Sequence, residues 1–258
     1  MAALFSNALA YENLMGRWSV RLAPLFAQFT QVADGARVLD VGCGTGSLAR
    51  TLASMTRRSE IVGIDPVAPF VEYARSQVKD PRVSFEVGDA QALPYPAASF
   101  DCALSLLVFQ FIPDADQAAR ELRRVTRPGG TVAACTWDRQ GMEMSALFWD
   151  VAGPLDPDAA AKRPERLNRA GQLGGLWRAA GLRDVEETEL EISMDFSSFE
   201  DYWAPLEKGV GPQGAYLAAL APERRQALRQ ALEVRLRARG APGAFALRAK
   251  ALAVRGTA

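Results

Sequence analysis

The stretch VLDVGCGTGSLA, residues 38–49, sets an acidic residue, Asp40, two positions ahead of the alternating glycines Gly42, Gly44 and Gly46. Glycine adopts positive φ freely and lets a ligand approach the main chain to van der Waals contact, which a Cβ would block. A carboxylate at Asp40 can accept a hydrogen bond from a ligand ammonium group, directly or through water. The same glycines also satisfy a dinucleotide pattern, as Gly44-x-Gly46-x-x-Ala49, so the turn alone points to a nucleoside-bearing ligand without choosing among them. Asp65 lies 19 residues after Gly46, where a carboxylate can take both hydroxyls of a ribose, and capping the helix that starts beside Pro66 is compatible with that role.

Missing residue types narrow the chemistry further. The 258-residue chain contains 0 His, which removes the usual general base and the commonest zinc ligand. Triads and zinc hydrolysis are excluded, and no metal site is expected. None of Tyr11, Tyr73, Tyr95, Tyr202 or Tyr216 is followed four residues later by Lys, so the short-chain dehydrogenase pair is absent. Cys43, Cys102 and Cys135 are far apart in apolar surroundings and read as buried small hydrophobes rather than a disulfide framework.

The elements that position these residues alternate between strand and helix. ARVLDV (36–41) is a short apolar strand, and SLARTLASM after it carries Leu48, Leu52 and Met55 at helical spacing. IVGID (61–65) is the next strand, a helix follows over 67–78, and RVSFEVGD (82–89) is a third strand. FDCALSLLV (100–108) reads as a fully buried central strand; a helix over 114–126 and a Pro128-Gly129-Gly130 stop precede the strand TVAACTW. Strands alternating with helices imply a parallel α/β sheet, whose right-handed crossovers gather every motif along the carboxyl rim. Beyond Asp138 the pattern predicts helices over 143–152, 170–180, 198–208 and 222–239, broken at DPDAAAKRPER and KGVGPQG, with DVEETELEISMDF and GAFALRAKALAVRG pairing antiparallel at the sheet edge.

Four motifs in this order resemble those of the class I S-adenosylmethionine-dependent methyltransferases, particularly the small-molecule branch of the ubiquinone/menaquinone-biosynthesis type. They are VLDVGCGTG, the strand-terminal Asp65, Gly88-Asp89-Ala90 followed by LPYPAASFD, and Arg127-Pro128-Gly129-Gly130, and they span roughly residues 36–138. The resemblance implies a Rossmann-like α/β fold: a seven-stranded, mostly parallel sheet with helices on both faces, an antiparallel last strand and a helical cap. It divides a single domain into an N-terminal helical lid (1–34), a cofactor-binding core (35–138) and cap helices with sheet-completing strands (139–258).

Residue by residue, the resemblance implies that Asp40 and the backbone at Gly42, Cys43 and Gly44 hold the methionine moiety of S-adenosylmethionine. Asp65 with Pro66 would hold the ribose, Asp89 the adenine amino group with Ala90 beside the ring, and Leu106 and Leu107 would line the cofactor. Gln110, which stands where many such enzymes have His, would face the methyl end as a polar positioner. Methyl transfer from a sulfonium is an in-line displacement needing alignment more than a base, which suits a chain without His. No catalytic base is named; Tyr11, Gln110 and Asp138 are the candidates. Trp18, Gln110, Trp137 and Trp203 are the expected walls of a pocket for a small apolar or aromatic acceptor.

The rival readings are a non-catalytic S-adenosylmethionine-binding module and a nicotinamide-dependent oxidoreductase. The 30 basic and 30 acidic residues cancel, so no long-range field favours nucleic acid or an anionic membrane. Residues 223–258 carry nine Arg or Lys against two Glu, but Leu228, Ala231, Leu232 and Leu236 make one apolar face there, as on a solvated amphipathic helix. With no basic start and no apolar run of about 18 residues, the expectation is a cytoplasmic protein acting on a small molecule, its oligomeric state open.

Overall fold

Alternation of side chains along each strand gives the sheet its two buried faces. In β1 (Arg37–Val41), Val38 shares one face with Asp40, while Leu39 and Val41 point to the other. The computed structural model describes residues 8–156, 158–163, 165–239 and 243–258. Ahead of β1 lie α1 (Ala8–Tyr11), a π-helical turn (Glu12–Gly16) and α2 (Arg17–Thr30). After it come α3 (Ser47–Met55), β2 (Glu60–Asp65), α4 (Ala68–Gln77), β3 (Val83–Val87), β4 (Phe100–Leu106), α5 (Ala115–Val125) and β5 (Thr126–Met142). The remainder is α6 (Glu143–Leu155), α7 (Ala159–Lys162), α8 (Gln172–Ala179), β6 (Arg183–Phe196), α9 (Phe199–Trp203), α10 (Gly211–Ala219), α11 (Pro222–Arg237) and β7 (Phe245–Thr257).

The seven strands form one sheet in the order β3-β2-β1-β4-β5-β7-β6. All run parallel except β7, which is antiparallel to both β5 and β6, as the edge pairing read from the sequence requires. β1 pairs with β2 on one side and β4 on the other, so strand order reverses there and opens a crevice at the carboxyl ends. Helices cover both faces. One core joins Val38, Cys102 and Cys135 to Leu22, Phe26, Leu52 and the cap helices; the other joins Leu39, Ala103 and Val132 to Leu122 of α5 and Trp177 of α8. All three cysteines are buried among these side chains.

Two readings from sequence need correction. Arg127-Pro128-Gly129-Gly130 does not precede the fifth strand but lies within it, as an irregularity between the pairs Phe100↔Thr126 and Cys102↔Thr131. A Cβ on Gly130 would sit 2.5 Å from the Asp101 carbonyl oxygen, and Arg127 holds the Asp101 carboxylate at 2.5 Å, so this is a fixed bulge rather than a stop. Likewise KGVGPQG ends as the first turn of α10. Gly209 and Gly211 take positive φ and make the corner, and Pro212 lies in the first turn, where its missing N–H costs nothing.

In α11, Leu228, Leu232 and Leu236 are buried, while Arg229 and Arg237 meet Glu200 and Glu233 at 2.8 and 2.7 Å. Its arginines thus cover a solvated face. No helix among the described residues is long and apolar enough to cross a membrane. Trp177 is fully buried and its indole N–H donates to the Val132 carbonyl at 2.9 Å, tying α8 to β5. Trp177→Phe removes that bond and the packing of the larger ring, and urea unfolding is expected to show a loss of about 1–3 kcal/mol.

Candidate functional site

The turn between β1 and α3 is fastened to the end of β2. The amides of Gly42 and Cys43 both donate to the Ile64 carbonyl, at 2.7 and 3.1 Å, and the Gly44 amide donates to Asp65 Oδ2 at 3.0 Å. Asp65 Oδ1 in turn accepts from the Val67 amide at 2.9 Å. Two backbone donors therefore fix this carboxylate at the rim, and burial raises its pKa despite them. Gly42, Gly44 and Gly46 all have positive φ. A Cβ at Gly42 would meet Val108 at 2.5 Å, whereas at Gly44 it would find only Phe70, at 3.9 Å, so Gly44 leaves its space to the crevice.

Asp40 is 1% exposed, and neither carboxylate oxygen has a hydrogen-bond partner. Burial first, and then the neighbouring charge of Asp65, push its pKa up to about 7; the nearby Ala49 amide offsets part of this without a hydrogen bond of normal geometry. An acceptor left unsatisfied in the interior is unfavourable, and a ligand cation reaching it would relieve that. Asp40 and the open approach at Gly44 therefore fit an amino-acid-bearing nucleoside.

One cavity gathers Asp40, Gly42, Cys43, Gly44, Asp65, Pro66, Asp89, Ala90, Leu106 and Leu107, that is, every position for which the sequence implies a cofactor contact. Asp89 lies at its mouth, its carboxylate held by the Gln91 amide at 2.9 Å and the Gln91 side chain at 3.0 Å. The Cys43 thiol is held well above its ordinary pKa by burial and the two nearby aspartates, which makes it a lining group rather than a nucleophile.

A second cavity adjoins the first, and Tyr11, Leu107 and Phe111 line both. Leu107 reaches this wall by adopting a φ of +64°, with its amide donating to the Cys135 carbonyl at 2.7 Å. That conformation is unfavourable by about 1–2 kcal/mol for a residue with a Cβ. Gln110, Trp137 and Asp138 also line the second cavity. The Gln110 side-chain amide donates to the Leu107 carbonyl at 3.1 Å, leaving its buried Oε1 without a partner. Asp138 Oδ1 accepts from the Gln140 and Gly141 amides at 3.1 and 2.5 Å. Burial raises the Tyr11 phenol to about 12, so it is neutral at physiological pH and can donate a hydrogen bond but not serve as a base.

Trp18 and Trp203 line neither cavity. Both are fully buried core residues, Trp18 tilted against Phe196 with Arg17 over its ring, and Trp203 stacked on Phe199. Trp18 and Leu22 pack into the core, while Tyr11, Leu14, Met15 and Ser19 of the same N-terminal elements line the cavities. Sequence reasoning missed Phe70, Phe111, Met142, Met144, Arg139 and Arg163. Arg163 had no usable signal, since it sits in a polar stretch that reads as a break.

Residues 39–134 match the family described as methyltransferase domain. The chain is 37% identical over 205 residues to 27-O-demethylrifamycin SV methyltransferase of Amycolatopsis mediterranei, covering 74% of this chain and 69% of that one. It is 30% identical over 214 residues to malonyl-[acyl-carrier protein] O-methyltransferase of Erwinia pyrifoliae, covering 82% and 75%. Its fold is similar to phosphoethanolamine N-methyltransferase 2 of Haemonchus contortus in complex with S-adenosyl-L-methionine, with a TM-score of 0.60 at 21% identity over 97% of this chain and 56% of that one. The chain belongs to the class I S-adenosylmethionine-dependent methyltransferases.

The raised pKa of Asp40 has a measurable sign. Folded Asp40 keeps its proton up to about 7, whereas an unfolded Asp releases it near 3.9, so the ligand-free fold loses stability as pH rises between those values. Asp40→Asn is expected to stabilise the ligand-free protein by an increment that grows from pH 4 to 7 and is flat above. Thermal melts of both proteins across that range check it, and an increment that shrinks with pH contradicts the assignment.

Proposed function

We propose that this methyltransferase holds S-adenosylmethionine in the first cavity and methylates a small, largely apolar acceptor in the second. The observation that carries the reading is the shared wall of Tyr11, Leu107 and Phe111, which line both cavities and so set them side by side. When bound, the cofactor supplies an electrophilic methyl group on a sulfonium. Asp40 would accept from its ammonium group beside the backbone of Gly42, Cys43 and Gly44. Asp65, already fixed by the Gly44 and Val67 amides, has lone pairs left for both ribose hydroxyls, with Pro66 against the sugar. Asp89 would accept from the adenine amino group, and Ala90, Leu106 and Leu107 would pack on the remaining apolar surface.

On the acceptor side the residues align and exclude water. Leu14, Met15, Met142, Met144 and Trp137 give the second cavity its apolar lining. Gln110 Oε1 and the Tyr11 hydroxyl would orient the reacting group through an acceptor and a donor, and Asp138 is the carboxylate placed to receive a proton released there. Alignment of this kind can contribute about 7–11 kcal/mol to the barrier, enough for an amine, thiolate or acidic hydroxyl to react with little base assistance. Of the N-terminal segment 1–34, read as a lid over the binding core 35–138 and the cap 139–258, residues 1–7 lie outside the described residues, and Tyr11 supports the reading by lining both cavities.

Two measurements test this reading. Asp65→Ala is expected to fold and to bind S-adenosylhomocysteine about ten- to hundredfold more weakly by calorimetry, the loss of a charge-assisted pair of bonds; unchanged affinity would remove Asp65 from the ribose. Met15→Trp fills only the second cavity, so it should abolish transfer of labelled methyl to a panel of apolar amines, thiols and phenols while leaving S-adenosylhomocysteine affinity intact. Equal turnover by Met15→Trp and the parent would place the acceptor elsewhere.

A further inference from the structure

The second cavity is apolar along most of its wall but carries two arginines, Arg139 and Arg163. Their side chains are only 17% and 10% exposed. Arg139 lies near the end of β5 and Arg163 just after α7, and an Arg163 Nη2 donates to the Arg139 backbone carbonyl at 2.8 Å, which fixes the Arg163 guanidinium beside the Arg139 main chain. Buried cations need compensating charge. What they have comes from outside: Asp150 stands 3.3 Å from Arg163, and Glu165 pairs with Arg139, both carboxylates being 61% exposed and neither lining the cavity.

Within the lining, Asp138 is the acidic side chain, and its Oδ1 is already engaged by the Gln140 and Gly141 amides. Burial, then the like charge of Arg139, hold the Arg163 guanidinium below its ordinary pKa, with Asp150 and Glu165 offsetting part of the shift. Asn168 and Gln213 add polar groups to the same cavity, and Gln213 is braced by donating to the Ser145 hydroxyl at 2.8 Å. A neutral, wholly apolar acceptor would leave this corner desolvated without return.

We propose that the acceptor is an amphiphilic acid, an apolar body ending in one carboxylate or phosphate group that docks on Arg139 and Arg163. The inference rests on the second cavity being the acceptor's, and adds the charge of the molecule that fills it. Guanidinium forks match planar or tetrahedral oxyanions with paired, charge-assisted hydrogen bonds, which a lysine pair would not do with the same orientation. Docked there, the anion leaves the far end of the acceptor to the wall of Tyr11, Leu107 and Phe111. The arginines act as specificity-determining residues and take no part in moving the methyl group.

The test titrates naphthoate, naphthyl phosphate and naphthamide into the full chain saturated with S-adenosylhomocysteine, followed by calorimetry. At least one acid is expected to bind tenfold or more tightly than the uncharged amide, and whichever acid binds better identifies carboxylate or phosphate as the group read. Arg163→Gln should bring the acid-to-amide ratio close to one without changing S-adenosylhomocysteine affinity; if that variant does not fold, Arg139→Gln makes the same measurement, and rising salt must shrink the ratio in the parent protein. Equal binding of the acids and the amide, or an acid preference that survives both substitutions, overturns the proposal while leaving the cavity as the acceptor site. Failure of all three probes to bind, with S-adenosylhomocysteine still bound, overturns this proposal together with the acceptor reading.

Discussion

The attachment of the glycine turn to the end of β2 is the constraint on which the rest of the site depends. Ile64 offers its carbonyl to two successive amides and Asp65 offers its carboxylate to a third, so the loop after β1 cannot move independently of the neighbouring strand. The crevice at the strand reversal is thereby given a rigid floor before any ligand arrives. Asp40 then appears on that floor because it alternates with Leu39 and Val41, whose side chains are buried on the opposite face. Burial there raises the pKa of both carboxylates, and of the two only Asp40 is left with unpartnered oxygens.

Much of this was legible in the sequence because the first half of the chain obeys local rules. Strand, glycine turn and helix recur with the spacing that a parallel sheet imposes, and the ten positions implied for the cofactor all reach one cavity. The antiparallel pairing of β6 with β7 also followed from the strand-like stretches of both segments. Local rules failed where tertiary contacts decide. The Pro-Gly-Gly step looks like a stop until the Asp101 carbonyl beside Gly130 shows it to be a bulge in a continuing strand.

The acceptor side was harder for a physical reason. Its lining comes from α1 and its π-helical turn, the loop after β4, the end of β5, α6, the segment after α7 and the start of α10, so no single stretch carries its pattern. Aromatic residues were a poor guide: of the tryptophans expected there, Trp137 arrived and Trp18 and Trp203 went to the core. Burying a large ring removes much apolar surface from water, whereas a pocket needs surface that is left uncovered. Methionine and arginine, Met15, Met142, Met144, Arg139 and Arg163, do that work instead.

The π-helical turn at Glu12–Gly16 bears on how such a cavity is maintained through sequence change. Its wider winding, with bonds reaching one residue further than in an α-helix, keeps Tyr11, Met15 and Ser19 nearly in line along the cavities while Trp18 and Leu22 remain in the core. Gly16 makes room there, since a Cβ would lie 2.5 Å from the Glu12 carboxyl group. Rewinding these residues as an ordinary α-helix, at about 100° each, would turn α1 by roughly a quarter turn relative to α2. The phenol of Tyr11 would then leave both chambers, although no residue facing them had been altered. What the segment encodes is a phase: its winding, more than its chemistry, sets which side chains the two chambers see.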